Sequence, residues 1–274
     1  MNDKYSELYK TAETDEEAVA RLIAILRILR VECPWDRKQT HESLTGCMLE
    51  EAYEAVDAIN EKNYDNLKEE LGDVLLQTLF HSLLAEEEKR FDFKDVINEE
   101  CEKMIRRHPH VFSTAEAKSV DNVLEKWENI KRQENNWDSQ TERLKSVPKA
   151  LPALIRSRKV QERASEVGFD WDDTSDVFPK IIEETQELRE AYENRSNSEI
   201  VEELGDLLFS IVNISRFLSV NAEDALTDAT DKFIRRFERM ESAAAAEGVK
   251  LQDLELKEMD VLWEKAKDLD SSGK

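Results

Sequence analysis

Glu50-Glu51-Ala52-Tyr53-Glu54 is followed, after a short spacer, by Glu69-Glu70-Leu71-Gly72-Asp73. The chain then repeats the pattern as Glu183-Glu184-Thr185-Gln186-Glu187 and Glu202-Glu203-Leu204-Gly205-Asp206. Every acid of the second set lies 133 positions after its counterpart, with no insertion or deletion. The two spacers carry Asn63-Tyr64-Asp65-Asn66 and Asn194-Arg195-Ser196-Asn197-Ser198, clusters of turn formers that predict a reversal between two antiparallel helices. Each copy is therefore expected to be a helix hairpin with acids on both arms.

Residues three apart lie on one helix face, which pairs Glu51 with Glu54, Glu70 with Asp73, Glu184 with Glu187 and Glu203 with Asp206. Four carboxylates then face one another across each hairpin. A single EExxE is usually a solvated helix face, above all in an acidic chain. Two motifs duplicated at fixed spacing favour a site instead. Converging carboxylates need a counter-charge, and a donor set made only of oxygen suits Mg or Mn. Gly72 and Gly205 are costly inside helices, so a close approach of a neighbouring helix or ligand is expected there. The second arm continues as an apolar run from Leu207 to Leu218 and reads as a buried central helix.

Composition bounds the rest. The 274 residues, with six Gly and five Pro, fit an all-helical chain of two related domains. We expect an N-terminal domain over 1–134, a linker over 135–150 around Pro148, and a C-terminal domain over 151–274. With 39 Lys and Arg against 62 Asp and Glu, the net charge of -23 argues against nucleic acid or an anionic membrane as partner. Cys33, Cys47 and Cys101 lack CxxC spacing and read as reduced thiols. No leader or membrane-length apolar run is evident, so a cytoplasmic protein is expected.

The flanking segments repeat as well. Helices are expected from Asp15 to Val31 and from Leu154 to Val167. The loop Cys33-Pro34-Trp35 stands where Gly168-Phe169-Asp170-Trp171 stands later. Lys103, Arg106 and Arg107 are answered by Lys232, Arg235 and Arg236, and Trp127 and Lys131 by Trp263 and Lys267. His108-Pro109-His110 reads as a turn, because proline precludes a helical pair of histidine ligands there.

The second copy thus assembles four carboxylates, Lys180 one turn before them, Lys232 and Arg236 one turn apart, and Trp263 with Lys267. Carboxylates hold a metal, cations hold phosphate oxygens, and an indole stacks on a flat base. A nucleoside polyphosphate site is expected. No GxxxxGK[ST] loop is present, so metal and side chains rather than backbone amides would hold the phosphates. Hydrolysis of a phosphoanhydride follows, with a carboxylate among Glu183, Glu184 and Glu203 taking the proton from water. A non-catalytic Mg- or nucleotide-binding scaffold is the alternative. A di-iron bundle is disfavoured by the lack of Glu-x-x-His.

The strings CPWDRKQTHESL, EEAYE with EELGD, EETQE with EELGD, RRHPHVF, KWENIK and VGFDW together resemble the MazG family of nucleoside triphosphate pyrophosphohydrolases in its tandem form. The resemblance implies an all-α, dimeric, Mg-dependent enzyme built from two MazG-like helical bundles. It further implies cleavage of NTPs and dNTPs between the α and β phosphates, giving NMP and pyrophosphate in the upkeep of nucleotide pools. Carried over residue by residue, it makes Glu184, Glu187, Glu203 and Asp206 metal ligands. Lys180, Lys232, Arg236, Trp263 and Lys267 become nucleotide contacts, and Glu51, Glu54, Glu70 and Asp73 a secondary set. Cys47 stands where Lys180 stands, so the C-terminal copy is expected to carry the activity.

Overall fold

The computed structural model describes residues 3–271 apart from 114–118, 120–122, 124–125, 128–129, 131–133, 135–136 and 138. Among the described residues the regular elements are all helical, with no strand. The chain forms two compact units, Met1–Asn135 and Asn136–Lys274. Lys131, expected to mirror Lys267, lies outside the described residues.

The first unit contains α1 (Asp15–Glu32), α2 (Thr45–Asn60), α3 (Tyr64–Glu87), α4 (Phe93–Arg107) and the single turn α5 (Pro109–Phe112). Local chemistry sets the boundaries. The Thr14 hydroxyl accepts the Glu17 amide to open α1, and Asp92 and Asp95 form a reciprocal capping box at the start of α4. The α2–α3 reversal turns on Lys62, which takes a left-handed φ of +57°. Lys62 and Asn63 donate their amides to the carbonyls of Ile59 and Ala58, closing the end of α2, and the Asn63 side chain then caps α3.

The second unit comprises α6 (Gln140–Lys145), α7 (Ala153–Ser165), α8 (Thr174–Glu193), α9 (Asn197–Phe217), α10 (Ala222–Ala246) and α11 (Leu256–Ser271). Its α8–α9 hairpin reproduces the backbone bonds of the earlier turn, without the side-chain cap that Asn63 supplies there. Arg195 has φ of +55°, and the amides of Arg195 and Ser196 reach the carbonyls of Tyr192 and Ala191. The repeat seen in the acids therefore extends to the geometry that brings the two arms together.

Each unit has its own core. Leu26 of α1, Leu44, and Leu79, Phe80 and Leu84 of α3 form the first, with Leu76 and Leu83 packed against it. Ion pairs Arg27–Glu86 at 2.9 Å and Arg30–Glu87 at 2.7 Å fasten α1 along α3. In the second unit Met240, Ala244 and Leu262 join α10 to α11, while Val177, Ala191, Val212 and Ile214 are buried along the hairpin.

Several expectations change. The stretch 135–150, expected as a linker, includes helix α6, and the neighbouring Val147 is buried. His108-Pro109-His110 does not make an open turn: Pro109 sits at the first position of α5, where its missing amide costs nothing. A Cβ at Gly72 or Gly205 would meet nothing within 4 Å, so no close approach explains either glycine within the described chain. Helix α9 is not buried all round. Its apolar circumference exceeds what one chain covers, and Leu204, Leu208, Phe209 and Ile211 are exposed on it. No described helix is long and apolar enough to cross a membrane.

Candidate functional site

Helix periodicity and the hairpin turn converge on one result in each unit. In the first, carboxylate oxygens of Glu51, Glu70 and Asp73 all lie within 4.8 Å of one another; in the second, those of Glu184, Glu187 and Glu203 do so. Glu54 lies next to the first triad, its charge and hydrogen bonding acting on Glu51 and Glu70. Asp206 lies next to the second, its charge acting on Glu203.

The electrostatics are those of acids forced together. Burial, then the charge of Glu184, raises Glu187 above the ordinary carboxylate range. Burial, then Glu187, Glu184 and Asp206, raises Glu203 in the same way. In the first unit burial and the neighbouring acids raise Glu51 and Glu70. Three carboxylates offering oxygen at this spacing fit a hard divalent cation.

The two copies differ in their counter-charge. Lys180 Nζ sits 2.7 Å from Glu184 and 2.9 Å from Glu183, and this pairing raises the lysine further. Its neighbour Glu184 is only 4% exposed. At the equivalent position of the first copy, Cys47 packs against the apolar core.

Beside the second triad lies a cavity of about 520 Å³. Lys180 and Glu184 of α8 and Asp206 of α9 line it together with the loop residues Phe169, Asp170 and Trp171. Further along α9 come Phe209, Ser210, Asn213 and Arg216, and α7 contributes Gln161. Of these, sequence reasoning named only Lys180, Glu184 and Asp206 as site residues. A signal was available: Ser210, Asn213 and Arg216 recur every third residue in an otherwise apolar run, which puts three polar groups on one face of α9.

In the first copy the corresponding face builds core. Leu76, Gln77, Phe80 and Leu83 stand 133 positions before Phe209, Ser210, Asn213 and Arg216. Phe80 is 4% exposed in the core cluster, and Leu76 and Leu83 pack on it. The acids are duplicated, whereas the polar wall is not.

The remaining expected contacts fall elsewhere in the second unit. Lys232 is exposed on α10 and Arg236 half-buried one turn later. Trp263 packs on Phe233, with ring centroids 5.0 Å apart, and against the α10–α11 core. Lys267 bonds Glu264 at 2.8 Å. None of these four lines the cavity with the acids.

A stability consequence follows. A carboxyl whose pKa is raised by folding binds its proton more tightly in the folded state. Stability is then lost as pH rises from the ordinary carboxylate value through the raised one. At neutral pH the cation-free cluster thus weakens the fold, and either a neutral substitution or a cation relieves it. Glu203→Gln is expected to raise the melting temperature of chelator-treated protein and to shrink the rise produced by a divalent cation. An unchanged cation response in thermal melts would remove Glu203 from the ligand set.

Comparison with known proteins agrees with the duplicated site. The family model described as "MazG nucleotide pyrophosphohydrolase domain" matches residues 39–112 and again residues 173–240. The chain is 49% identical over 248 residues to the nucleoside triphosphate pyrophosphohydrolase/pyrophosphatase MazG of Thermotoga maritima, covering 90% of this chain and 94% of that protein. It is 41% identical over 256 residues to the nucleoside triphosphate pyrophosphohydrolase of Escherichia coli, covering 91% and 97% respectively. A crystal structure of a MazG-related protein from Thermotoga maritima aligns with 41% of this chain and 98% of its own, at 28% identity and a TM-score of 0.37. With its hairpin, its acids and its family domain all present twice, this chain belongs to the MazG family of nucleotide pyrophosphohydrolases.

Proposed function

We propose that the second unit hydrolyses nucleoside triphosphates to nucleoside monophosphate and pyrophosphate with Mg as cofactor, in the upkeep of nucleotide pools. The observation that carries this reading is the junction of the acid triad with the cavity: Glu184 belongs to both. Glu184, Glu187, Glu203 and Asp206 would hold the cation, with Mn as a substitute. Bound Mg neutralises phosphate charge and lowers the pKa of a coordinated water.

The chain's own groups do the rest. Lys180, lying against Glu183 and Glu184, is placed to shift its ammonium onto a phosphate oxygen when substrate arrives, a charge-assisted contact. That shift frees Glu183, exposed at the edge of the cluster, to take a proton from the attacking water. The water oxygen bonds to the α-phosphorus, the bond from that phosphorus to the bridging oxygen breaks, and pyrophosphate leaves with the electron pair. Lys232, Arg236 and Lys267 are proposed to hold phosphate oxygens and Trp263 to contact the nucleotide. As these four line no wall with the acids in one chain, their part in the reaction is the least direct of the set.

Activity is expected to reside in the second copy. Asp206→Asn should lower turnover by at least about a hundredfold, because it weakens the hold on a cation that supplies several kcal/mol of charge stabilisation. Asp73→Asn should leave most of it. Product analysis of both variants at saturating Mg checks this. Release of orthophosphate, or equal losses in the two variants, would contradict the assignment.

We also propose a homodimer formed through the hairpins. Ile182 and Phe178 on α8 and Leu204 and Leu208 on α9 are exposed apolar residues of one hairpin. Leu49, Leu71 and Leu75, exposed on the other hairpin, stand 133 positions before Ile182, Leu204 and Leu208. Covering such faces favours pairing of like copies. Light scattering is expected to give twice the chain mass at micromolar concentration; a monomer would remove the dimer.

A further inference from the structure

We propose that Asn213 is the residue that reads the nucleobase, held in its reading orientation by Arg216 and Asp170; this rests on the nucleotide reading above and assigns the base to the cavity along α9. The cavity has an acidic end and a far end whose two charges, Arg216 and Asp170, are paired with each other. Lys180, Glu184 and Asp206 belong to the acid cluster, whereas Asn213 lies seven residues beyond Asp206 on the same helix, about 10 Å further along its axis. Among the described residues that line it, no unpaired cation waits there for phosphate. Arg216 is committed to Asp170, its Nη1 donating to the carboxylate at 2.8 Å with a second bond from Nη2. The far end therefore suits a flat, neutral group with hydrogen-bonding edges, flanked by Trp171 and Phe209. Its volume falls within the range of small-molecule sites.

The orientation of Asn213 is fixed by chemistry. Arg216 can only donate, and its Nε and Nη2 donate to Asn213 Oδ1 at 3.2 and 2.9 Å. The amide nitrogen of Asn213 must then point away from Arg216, and it has no hydrogen-bond partner among the described residues. Asn213 itself is only 6% exposed. A side chain this buried, with its donors unused in a cavity wall, is arranged for a ligand. Gln161 supplies the complementary observation. It is 7% exposed, its Nε2 donates to the Phe209 carbonyl at 2.8 Å, and its Oε1 is buried in the same wall without a partner among the described residues. The wall thus presents a fixed donor at Asn213, ready for a carbonyl oxygen or ring-nitrogen lone pair of a base, and an unsatisfied acceptor beside it. Phe80 and Leu83 occupy the positions of Asn213 and Arg216 in the first copy, which removes this reader while keeping the acids.

Asn213→Asp tests the role with least disturbance, because it retains an oxygen for Arg216 and deletes the N–H donors. Steady-state kinetics with ATP, GTP, CTP and UTP would be compared with inhibition by inorganic tripolyphosphate, which has no base. The expected result is a KM raised at least about tenfold for one or more of the four, with kcat changed little. Tripolyphosphate inhibition and the cation-induced melting shift should stay at wild-type values. Arg216→Lys, which keeps the charge but loses the fork, should raise KM in the same direction. Unchanged KM for all four nucleotides in Asn213→Asp, or equal losses for nucleotides and tripolyphosphate, would overturn the base-reading role. If the wild-type protein releases pyrophosphate and Asn213→Asp matches it, the base assignment alone fails; if the wild type releases none from any nucleotide, both readings fail.

Discussion

The mutual repulsion of carboxylates gathered across a helix hairpin is the constraint on which this molecule is built. Helix periodicity puts the acids of each arm on one face, and the left-handed turn at Lys62 or Arg195 swings the two faces together. Nothing in the fold alone rewards that convergence. Burial, together with the charge of the neighbouring acids, raises Glu187 and Glu203 above their ordinary range, a cost the folded state bears until a cation or a lysine offsets it. The two arms of each hairpin are joined by the turn that closes α2 or α8, and in the second hairpin Val177 and Val212 are buried along them.

The two copies carry that constraint into different outcomes. The second places Lys180 on its acids and opens a polar-walled cavity beside them. The first has Cys47 in the lysine's place and fills the corresponding face of α3 with Phe80, Leu76 and Leu83. Loss of one cation would weaken binding of a triphosphate, but a core aromatic in place of a buried amide changes what can enter at all. The asymmetry between the copies therefore resides in the cavity wall at least as much as in the phosphate clamp.

Much of this was legible in the sequence, and the reasons are local. Acids at spacing three, a 133-residue repeat and clusters of turn formers are short-range signals, and they specify helices, hairpins and the convergent triads without reference to the rest of the chain. What failed to show depends on contacts between distant residues. Asn213 and Arg216 looked like interruptions of an apolar helix, because their meaning comes from Asp170, more than forty residues earlier. Gln161 was invisible for the same reason, its partner being a backbone carbonyl of α9. The apolar run of α9 suggested full burial, since composition cannot say whether a second chain completes the covering. Gly72 and Gly205 suggested close contact, and the described chain offers none.

The central claim is that, of the two acid clusters, only the one in the second unit serves a nucleotide site. Calorimetric titration of the full-length protein with a non-hydrolysable nucleoside triphosphate analogue, in excess Mg, tests it most directly. The account predicts one nucleotide bound per chain, with that binding abolished by a bulky apolar substitution such as Asn213→Phe, which imitates Phe80. Two equivalent nucleotides per chain, or one that survives Asn213→Phe at full affinity, would contradict it.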